Sequence, residues 1–154
     1  MRPMIVTAIG AVVTTGLIIT AYSFWTDKLP VTTTASDPVQ GAVLYAANCA
    51  SCHGTNLQGQ PGWRERRPDN TLPAPPHDDS GHTWHHPDSV LFAYTKFGGQ
   101  AYLDENGITA ITSAMPAFEG ILSDDEIRDV LAYIRSRWSE RARKKQAELT
   151  ATND

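Results

Sequence analysis

Both cysteines of the chain stand in one short segment together with a histidine, and this segment carries the most specific chemistry in the sequence. It reads Cys49-Ala-Ser-Cys52-His53, and C-x-x-C-H is the attachment sequence of a c-type haem. Each thiol can add to one vinyl group of the haem, and the adjacent histidine then lies beneath the iron as its proximal ligand. The segment therefore predicts one covalently attached haem c, with iron as the metal, held by Cys49, Cys52 and His53.

Two other kinds of site use the C-x-x-C spacing. A redox dithiol uses it to lower a thiol pKa, but that motif is expected near a βαβ pattern, which this chain lacks. A zinc site would normally need a second pair of cysteine or histidine ligands at a suitable spacing. Haem attachment is favoured over both alternatives because the chain also offers a second axial ligand.

That second ligand is the one methionine outside the N-terminal segment. Met1 and Met4 stand at the start of the chain, which leaves Met115, followed by Pro116. The proline favours an extended backbone at the methionine, and so a loop that can turn the thioether inward. A thioether opposite an imidazole is a known haem pairing that raises the reduction potential. The alternative role for Met115 is to fill space in the core.

On these residues the chain resembles the class I cytochromes c from about Asp37 to Trp138. Three stretches carry the resemblance: Gly41-x-x-x-Tyr45, Cys49-x-x-Cys52-His53, and Met115-Pro116 ahead of Leu122-Ser123-Asp124-Asp125-Glu126-Ile127. The resemblance implies an all-α fold, the class I cytochrome c fold, around one covalently bound haem. It also implies His53 and Met115 as the axial ligands, and one-electron transfer without catalytic residues as the activity.

The resemblance has two further implications for the packing around the haem. A loop proline carbonyl accepts the second N–H of the proximal histidine in this family, and Pro73, Pro75 and Pro76 are equal candidates for it. The first and last helices of the family cross, and Gly41 would let their backbones approach closely. Tyr45 and Tyr133 are then candidates for that interface.

Three helices are predicted around the candidate ligands. Pro38 can open a helix that runs to Asn48, and Pro87 can open a second that ends at Gly98-Gly99. A capping box, Ser123-x-x-Glu126, opens a third helix that runs to at least Trp138, with an apolar stripe made by Ile127, Val130, Leu131, Ile134 and Trp138. No segment reads as a confident strand, and residues 53–87 read mostly as loop, which the apolar surface of a haem would have to order.

Four histidines lie within ten residues: His77, His82, His85 and His86. So many imidazoles beside Asp78 and Asp79 could bind copper or zinc, and a second metal would suggest a role in copper handling or partnership with an oxidase. The favoured alternative is a polar loop that caps the helix after Pro87 and covers the haem edge. In that case Trp84 or a histidine donates to a haem propionate.

The N-terminal segment predicts a connection with a membrane. Residues 4–25 contain no charge, and as a helix they would be about 33 Å long, close to the thickness of a hydrocarbon core. We expect residues 1–25 to be a retained transmembrane anchor rather than a cleaved signal sequence, because of their length and terminal aromatic residues. Residues 26–36 read as a linker, 37–138 as the haem domain, and 139–154 as a polar extension of the last helix or a tail.

Composition bounds the remaining possibilities. The chain has 154 residues, a net charge of −4 and 41% hydrophobic residues, which excludes a disordered chain and a disulfide scaffold. Residues 37–134 carry 5 basic and 13 acidic side chains, whereas the last helix continues with Arg135, Arg137, Arg141, Arg143, Lys144 and Lys145. This basic run predicts a solvated helix end, and less readily a contact with anionic lipid or an acidic partner. Nucleic acid is not an expected partner.

These expectations combine into one functional hypothesis. The sequence predicts a one-electron carrier on a bacterial inner membrane, single-pass, with its haem domain facing the periplasm and membrane-bound redox complexes as electron donor and acceptor. One alternative is a fixed cytochrome subunit of an oxidase or dehydrogenase complex. Two others are a haem sensor in which a gas displaces Met115, and a haem protein with an additional copper site.

Overall fold

The computed structural model describes residues 35–153, which form helices joined by long irregular segments. The α-helices are α1 (Pro38–Asn48), α2 (Ala50–His53), α3 (Asp88–Phe97), α4 (Gly99–Glu105), α5 (Asp124–Ser136) and α6 (Glu140–Asn153), with one 3₁₀ turn at Thr83–His85. These residues form no β-strand, only two isolated bridges. The predicted all-α class is confirmed. The anchor predicted for residues 1–25, and the linker up to residue 34, lie outside the described residues.

Helix α1 begins where the sequence predicts. The Asp37 carboxylate accepts the backbone N–H of Val39 at 2.8 Å and of Gln40 at 3.4 Å, which satisfies two donors that a helix start leaves unpaired. Pro38 occupies the first turn, where its missing N–H costs nothing. The Asp37 N–H itself donates to the Asp129 carboxylate at 2.7 Å, so the start of α1 is fixed to the middle of α5.

Helices α1 and α5 cross at Gly41. A Cβ at this glycine would overlap the backbone carbonyl of Asp129, so the two helices lie closer together than any other residue would allow. One turn further along α1, the Tyr45 ring packs on the Tyr133 ring with 5.4 Å between centroids. The crossing and both aromatic interface residues that the resemblance implied are therefore confirmed.

The capping box predicted for α5 is present in full. The Ser123 hydroxyl accepts the Glu126 N–H at 3.3 Å, and the Glu126 carboxylate accepts the Ser123 N–H at 2.8 Å. The Ser123 N–H and the Ser123 hydroxyl both donate to the Glu126 carboxylate, and they hold its pKa below the usual value because they favour the charged form. The predicted stripe is buried: Ile127, Val130, Leu131, Ile134 and Trp138.

The prediction that this helix continues past Trp138, with residues 139–154 as its extension, is wrong. Helix α5 ends at Ser136, and α6 is a separate helix that begins at Glu140. The Ser139 hydroxyl accepts the Ala142 N–H at 3.3 Å, which is the bond of an N-cap residue. Trp138 turns into the core, where it is 3% exposed. A buried tryptophan and a new cap therefore replace the expected helical turn.

Helix α6 is held against the start of α3 by a buried glutamine. Gln146 is 2% exposed, and its Nε2 donates to the Asp88 carboxylate at 2.7 Å and to the Thr150 hydroxyl at 3.0 Å. Arg135 of α5 pairs with the same Asp88 at 2.5 Å, and the Arg141 guanidinium lies over the Trp84 ring. Two residues of the predicted basic run, Arg135 and Arg141, thus contact other parts of the protein, and Arg141 is exposed as predicted.

Helix α4 has no counterpart in the sequence prediction, which ends the preceding helix at Gly98-Gly99 and leaves residues 100–105 unassigned. Helix α3 does end at Phe97, and Gly98 then adopts a φ of 84°, which glycine reaches without strain. The chain resumes a helix at once, and α4 buries Leu103. Among the helices of residues 35–153, none is both long and apolar enough to cross a membrane.

Replacing Gly41 with alanine tests the helix crossing. The added methyl group would meet backbone atoms that cannot rotate away, so we expect Gly41→Ala to lower the free energy of unfolding by about 1–3 kcal/mol. Val43→Ala, on the exposed side of the same helix, is the matched control and should change it by less than about 0.5 kcal/mol. Denaturant titration measures both. Equal stability of the two variants would contradict the close crossing.

Replacing Gln146 with alanine tests the attachment of α6. The variant loses two hydrogen bonds and leaves a cavity, so we expect a loss of about 2 kcal/mol and faster hydrogen exchange of the α6 amides. Lys145→Ala changes an exposed side chain on the same helix and should leave the exchange rates as they are. Unaltered exchange in the Gln146 variant would show that α6 does not depend on this buried group.

Candidate haem-binding site

The haem motif comes directly after α1: Cys49 precedes α2, and Cys52 and His53 lie on α2, a single helical turn. The Cys49 N–H donates to the Tyr45 carbonyl at 2.9 Å, and the His53 N–H donates to the Cys49 carbonyl at 2.9 Å. Gly54 ends the turn with a φ of 82°, and its carbonyl accepts the Tyr45 hydroxyl at 3.1 Å. The position of the motif is therefore set by α1 and, through Tyr45, by the crossing with α5.

The two thiols are free, and their surroundings do not suit a redox dithiol. Cys49 is buried and Cys52 is exposed. Burial, and to a lesser extent the neighbouring Cys52, raises the pKa of the Cys49 thiol to about 11. A dithiol that exchanges disulfides needs a lowered thiol pKa instead. Both thiols therefore remain available, and they fit covalent attachment to a haem.

His53 is 7% exposed, and one of its ring nitrogens has a defined partner. Its Nδ1 lies 2.8 Å from the Pro75 carbonyl oxygen, and since a carbonyl can only accept, the proton is on Nδ1. The lone pair is then on Nε2, where a metal can take it. Burial lowers the pKa of His53, which keeps the ring neutral, the form that binds metals. Of the three candidate prolines, the structure selects Pro75.

The loop that carries Pro75 is ordered by backbone hydrogen bonds to the other side of the same segment. The Gly59 N–H donates to the His53 carbonyl at 2.8 Å, and the Gln60 N–H donates to the Ala74 carbonyl at 2.9 Å. The Leu57 carbonyl accepts the His77 N–H at 2.8 Å. These bonds fix residues 74–77 beside His53 without any regular element, as expected for residues 53–87.

His77 is half-buried and contacts residues that position the haem motif. Its ring stacks on the His53 ring, with 3.9 Å between centroids and 22° between planes, and Tyr45 meets it edge-on at 6.0 Å. The Trp138 indole N–H donates to the His77 carbonyl at 2.7 Å. Burial lowers the pKa of His77 well below its usual value, so the ring is neutral. The sequence placed this residue in a polar loop and missed its contact with His53.

The other three histidines lie at the surface or near it. His82 stacks on the Trp63 ring at 5.4 Å, and His86 meets His82 edge-on. The Trp84 indole N–H donates to the Asp79 carbonyl at 3.4 Å, so it is not free for a haem propionate as the sequence suggested. Over residues 35–153, no three side chains of the types His, Cys, Asp and Glu are placed to hold a metal ion.

Met115 is half-buried and packs against the apolar core that also includes Cys49 and Tyr45. Its carbonyl accepts the Gly99 N–H at 3.0 Å, and its own N–H donates to the Ser113 hydroxyl at 3.3 Å. The start of α4, which the sequence analysis missed, therefore anchors the methionine loop. Position 99 also requires glycine, because a Cβ there would overlap the Ser113 side chain.

Ser113 is itself fixed by the helices on either side of Gly98. Its N–H donates to the Gln100 side chain at 2.9 Å, and the Tyr94 hydroxyl bonds to its side-chain oxygen at 3.2 Å. Tyr94 belongs to α3 and Gln100 to α4. Two free thiols, a neutral imidazole and a thioether are groups that fit the binding of haem c.

Comparison with known proteins identifies a matching family and several similar proteins. The family model for cytochrome c matches residues 38–138. A cytochrome c6 from a Nostoc species is 32% identical over 103 residues, which are 65% of this chain and 70% of that protein. Cytochromes c6 from a Picosynechococcus species and from Porphyra purpurea are 37% and 31% identical, over 65% and 80% of this chain and 73% and 92% of those proteins. No solved structure matches.

The family match covers α1 to α5 and ends at Trp138, the residue whose indole bonds to His77. Within it lie the attachment cysteines, His53 with its bond to Pro75, and Met115 on a loop held by two helices. Covalently bound haem c with its iron, and electron transfer rather than enzymatic turnover, are properties that this membership brings. The chain belongs to the cytochrome c family.

Proposed function

We propose that this cytochrome carries single electrons between membrane-bound respiratory complexes, with His53 and Met115 as the axial ligands of one haem c. In this proposal residues 1–25 anchor the chain in a bacterial inner membrane, residues 26–36 are the linker, and the haem domain 37–138 faces the periplasm. The haem, when bound, supplies the one-electron iron couple. The residues of the chain supply attachment, ligation and exclusion of water.

The observation that carries the proposal is the hydrogen bond from His53 Nδ1 to the Pro75 carbonyl. It leaves the Nε2 lone pair for the iron and holds the ring in one tautomer. On the other side, the loop of Met115 is fixed through Gly99 and Ser113, so its thioether is available as the second ligand. Two protein ligands leave no open position for a substrate or a gas, which suits a carrier and not a sensor.

The membrane part of the proposal rests on the sequence of residues 1–36. The uncharged run of 22 residues at 4–25 suits a span, and Arg2 favours a cytoplasmic N-terminus. A linker of eleven residues extends to about 35 Å at most. A tether of that length would keep the haem domain near the membrane and raise its effective concentration at membrane-bound partners.

A second candidate is a fixed electron-transfer subunit of an oxidase or dehydrogenase complex. Helix α6 supports it, because this helix lies beyond the matched residues 38–138. Lys144 and Lys145 are exposed on this helix, and they form no ion pair with any other residue in the range 35–153. Exposed cations of this kind can orient a protein on an acidic partner surface.

Replacing Met115 with alanine tests the ligation. The wild-type ferric protein should show the weak near-infrared sulfur-to-iron band, and its ferrous form should bind carbon monoxide poorly, because both axial positions are filled. In Met115→Ala we expect the band to disappear and carbon monoxide to bind. Ala114→Ser, at the exposed neighbouring residue, is the control and should behave as wild type. A wild-type protein without the band that binds carbon monoxide readily would favour the sensor.

Cell fractionation tests the tether. We expect the full-length protein in the membrane fraction, released by detergent but not by high salt, because an apolar span and not surface charge would hold it. A chain that starts at Asp37 behind a cleavable export signal should be soluble and keep the same optical spectrum and potential. If expression of the full-length chain gives a soluble protein whose N-terminus lies near Phe24, the N-terminal segment is a cleaved signal. Stable copurification with a catalytic subunit would favour the second candidate.

A further inference from the structure

One half-buried histidine has no role in the function described so far. The His77 ring lies between two aromatic rings, stacked on His53 at 3.9 Å and edge-on to Tyr45 at 6.0 Å. Its Nδ1 is buried and has no hydrogen-bond partner among the described residues. A buried polar atom without a partner costs free energy, so an apolar residue would fill this position at lower cost. Something other than core packing therefore accounts for the imidazole.

The backbone of His77 is fixed on both sides of the ring. Its N–H donates to the Leu57 carbonyl at 2.8 Å, and its carbonyl accepts the Trp138 indole N–H at 2.7 Å. Leu57 is 1% exposed and Trp138 3% exposed, so both bonds lie in the interior. The ring is therefore held against His53 by the fold itself, and it has little freedom to move away.

The bond to Pro75 does not by itself fix the plane of the His53 ring. An iron bound at Nε2 and a carbonyl bound at Nδ1 lie at nearly opposite ends of an imidazole. Both interactions resist tilting of the ring, but neither resists rotation about the line that joins the two nitrogens. A flat ring pressed against one face resists that rotation, because turning the His53 plane would drive it into the neighbouring ring.

We propose that His77 is a positioning residue, whose stacked imidazole fixes the plane of the His53 ring about its bond to the iron. The orientation of this plane sets how the imidazole and iron orbitals overlap, so His77 also contributes to the reduction potential. The inference rests on the proposed function, because it requires His53 as an iron ligand. In this proposal the flat face of the His77 ring constrains His53, and no proton on His77 takes part.

Two substitutions in the full-length holoprotein separate the flat face from the rest of the side chain. His77→Phe keeps a flat aromatic ring against His53, whereas His77→Leu removes it. His85→Leu is the matched control, because it removes an exposed histidine of the same segment that stacks on Trp84. The readouts are the low-spin g values of the ferric protein by electron paramagnetic resonance, and the reduction potential by optical titration.

We expect His77→Leu to change the spread of the g values and to shift the potential. His77→Phe should keep the g values near those of the wild type, and His85→Leu should leave both quantities unchanged. Wild-type g values and potential in a folded His77→Leu protein would overturn the proposal. The proposal would also be overturned if the g values of His77→Phe differed from those of the wild type as much as those of His77→Leu do. The flat face of the ring would then not be the cause.

A measurement on the unmodified protein covers the case in which His77→Leu does not fold. In the diamagnetic ferrous protein we expect nuclear Overhauser contacts between the ring protons of His77 and His53, and their absence in the assigned spectrum would overturn the stack. Failure of the proposed function would look different. A wild-type spectrum without histidine and methionine ligation would refute the ligand assignment whatever the His77 variants show.

Discussion

Helices α1 and α5 touch backbone to backbone at Gly41, and the geometry of the haem site depends on this contact. The Asp37 N–H and the Asp129 carboxylate that lock the crossing are 92 residues apart in the chain. One turn beyond the crossing, the Tyr45 ring packs on Tyr133. The Tyr45 hydroxyl donates to the carbonyl of Gly54, the residue that follows the haem motif. A contact between two helices thus determines where the attachment cysteines and the proximal histidine lie.

The irregular segment between the haem motif and α3 is held in place from the far end of the chain. Its inner residues bond to one another, as His77 does to Leu57, but its outer side is covered by residues after α5. Trp138 bonds to the His77 carbonyl, the Ser139 N–H donates to the Asp79 carboxylate, and Gln146 reaches the start of α3. Loop order here comes from tertiary contacts, with an apolar cofactor expected to complete the interior.

Local signals in the sequence predicted most of this architecture, and non-local contacts decided the rest. The haem motif and the capping box are readable because each rests on residues a few positions apart, whereas the crossing at Gly41 was implied by the family resemblance. The choice of Pro75 over its neighbours is not readable, since it depends on the register between Leu57 and His77. The break after Ser136 has a local signal in the capping residue Ser139, and the tertiary bond from the buried Trp138 adds to it.

The hydrogen bond between Trp138 and His77 also bears on the order in which the protein is made. A chain is synthesised from its N-terminus, so α1 and the cysteines emerge long before α5, Trp138 and α6. Until those last residues arrive, Gly41 has no helix to cross and the His77 carbonyl has no indole to accept from. The interior around Cys49 can therefore close only once α5, Trp138 and α6 have been made.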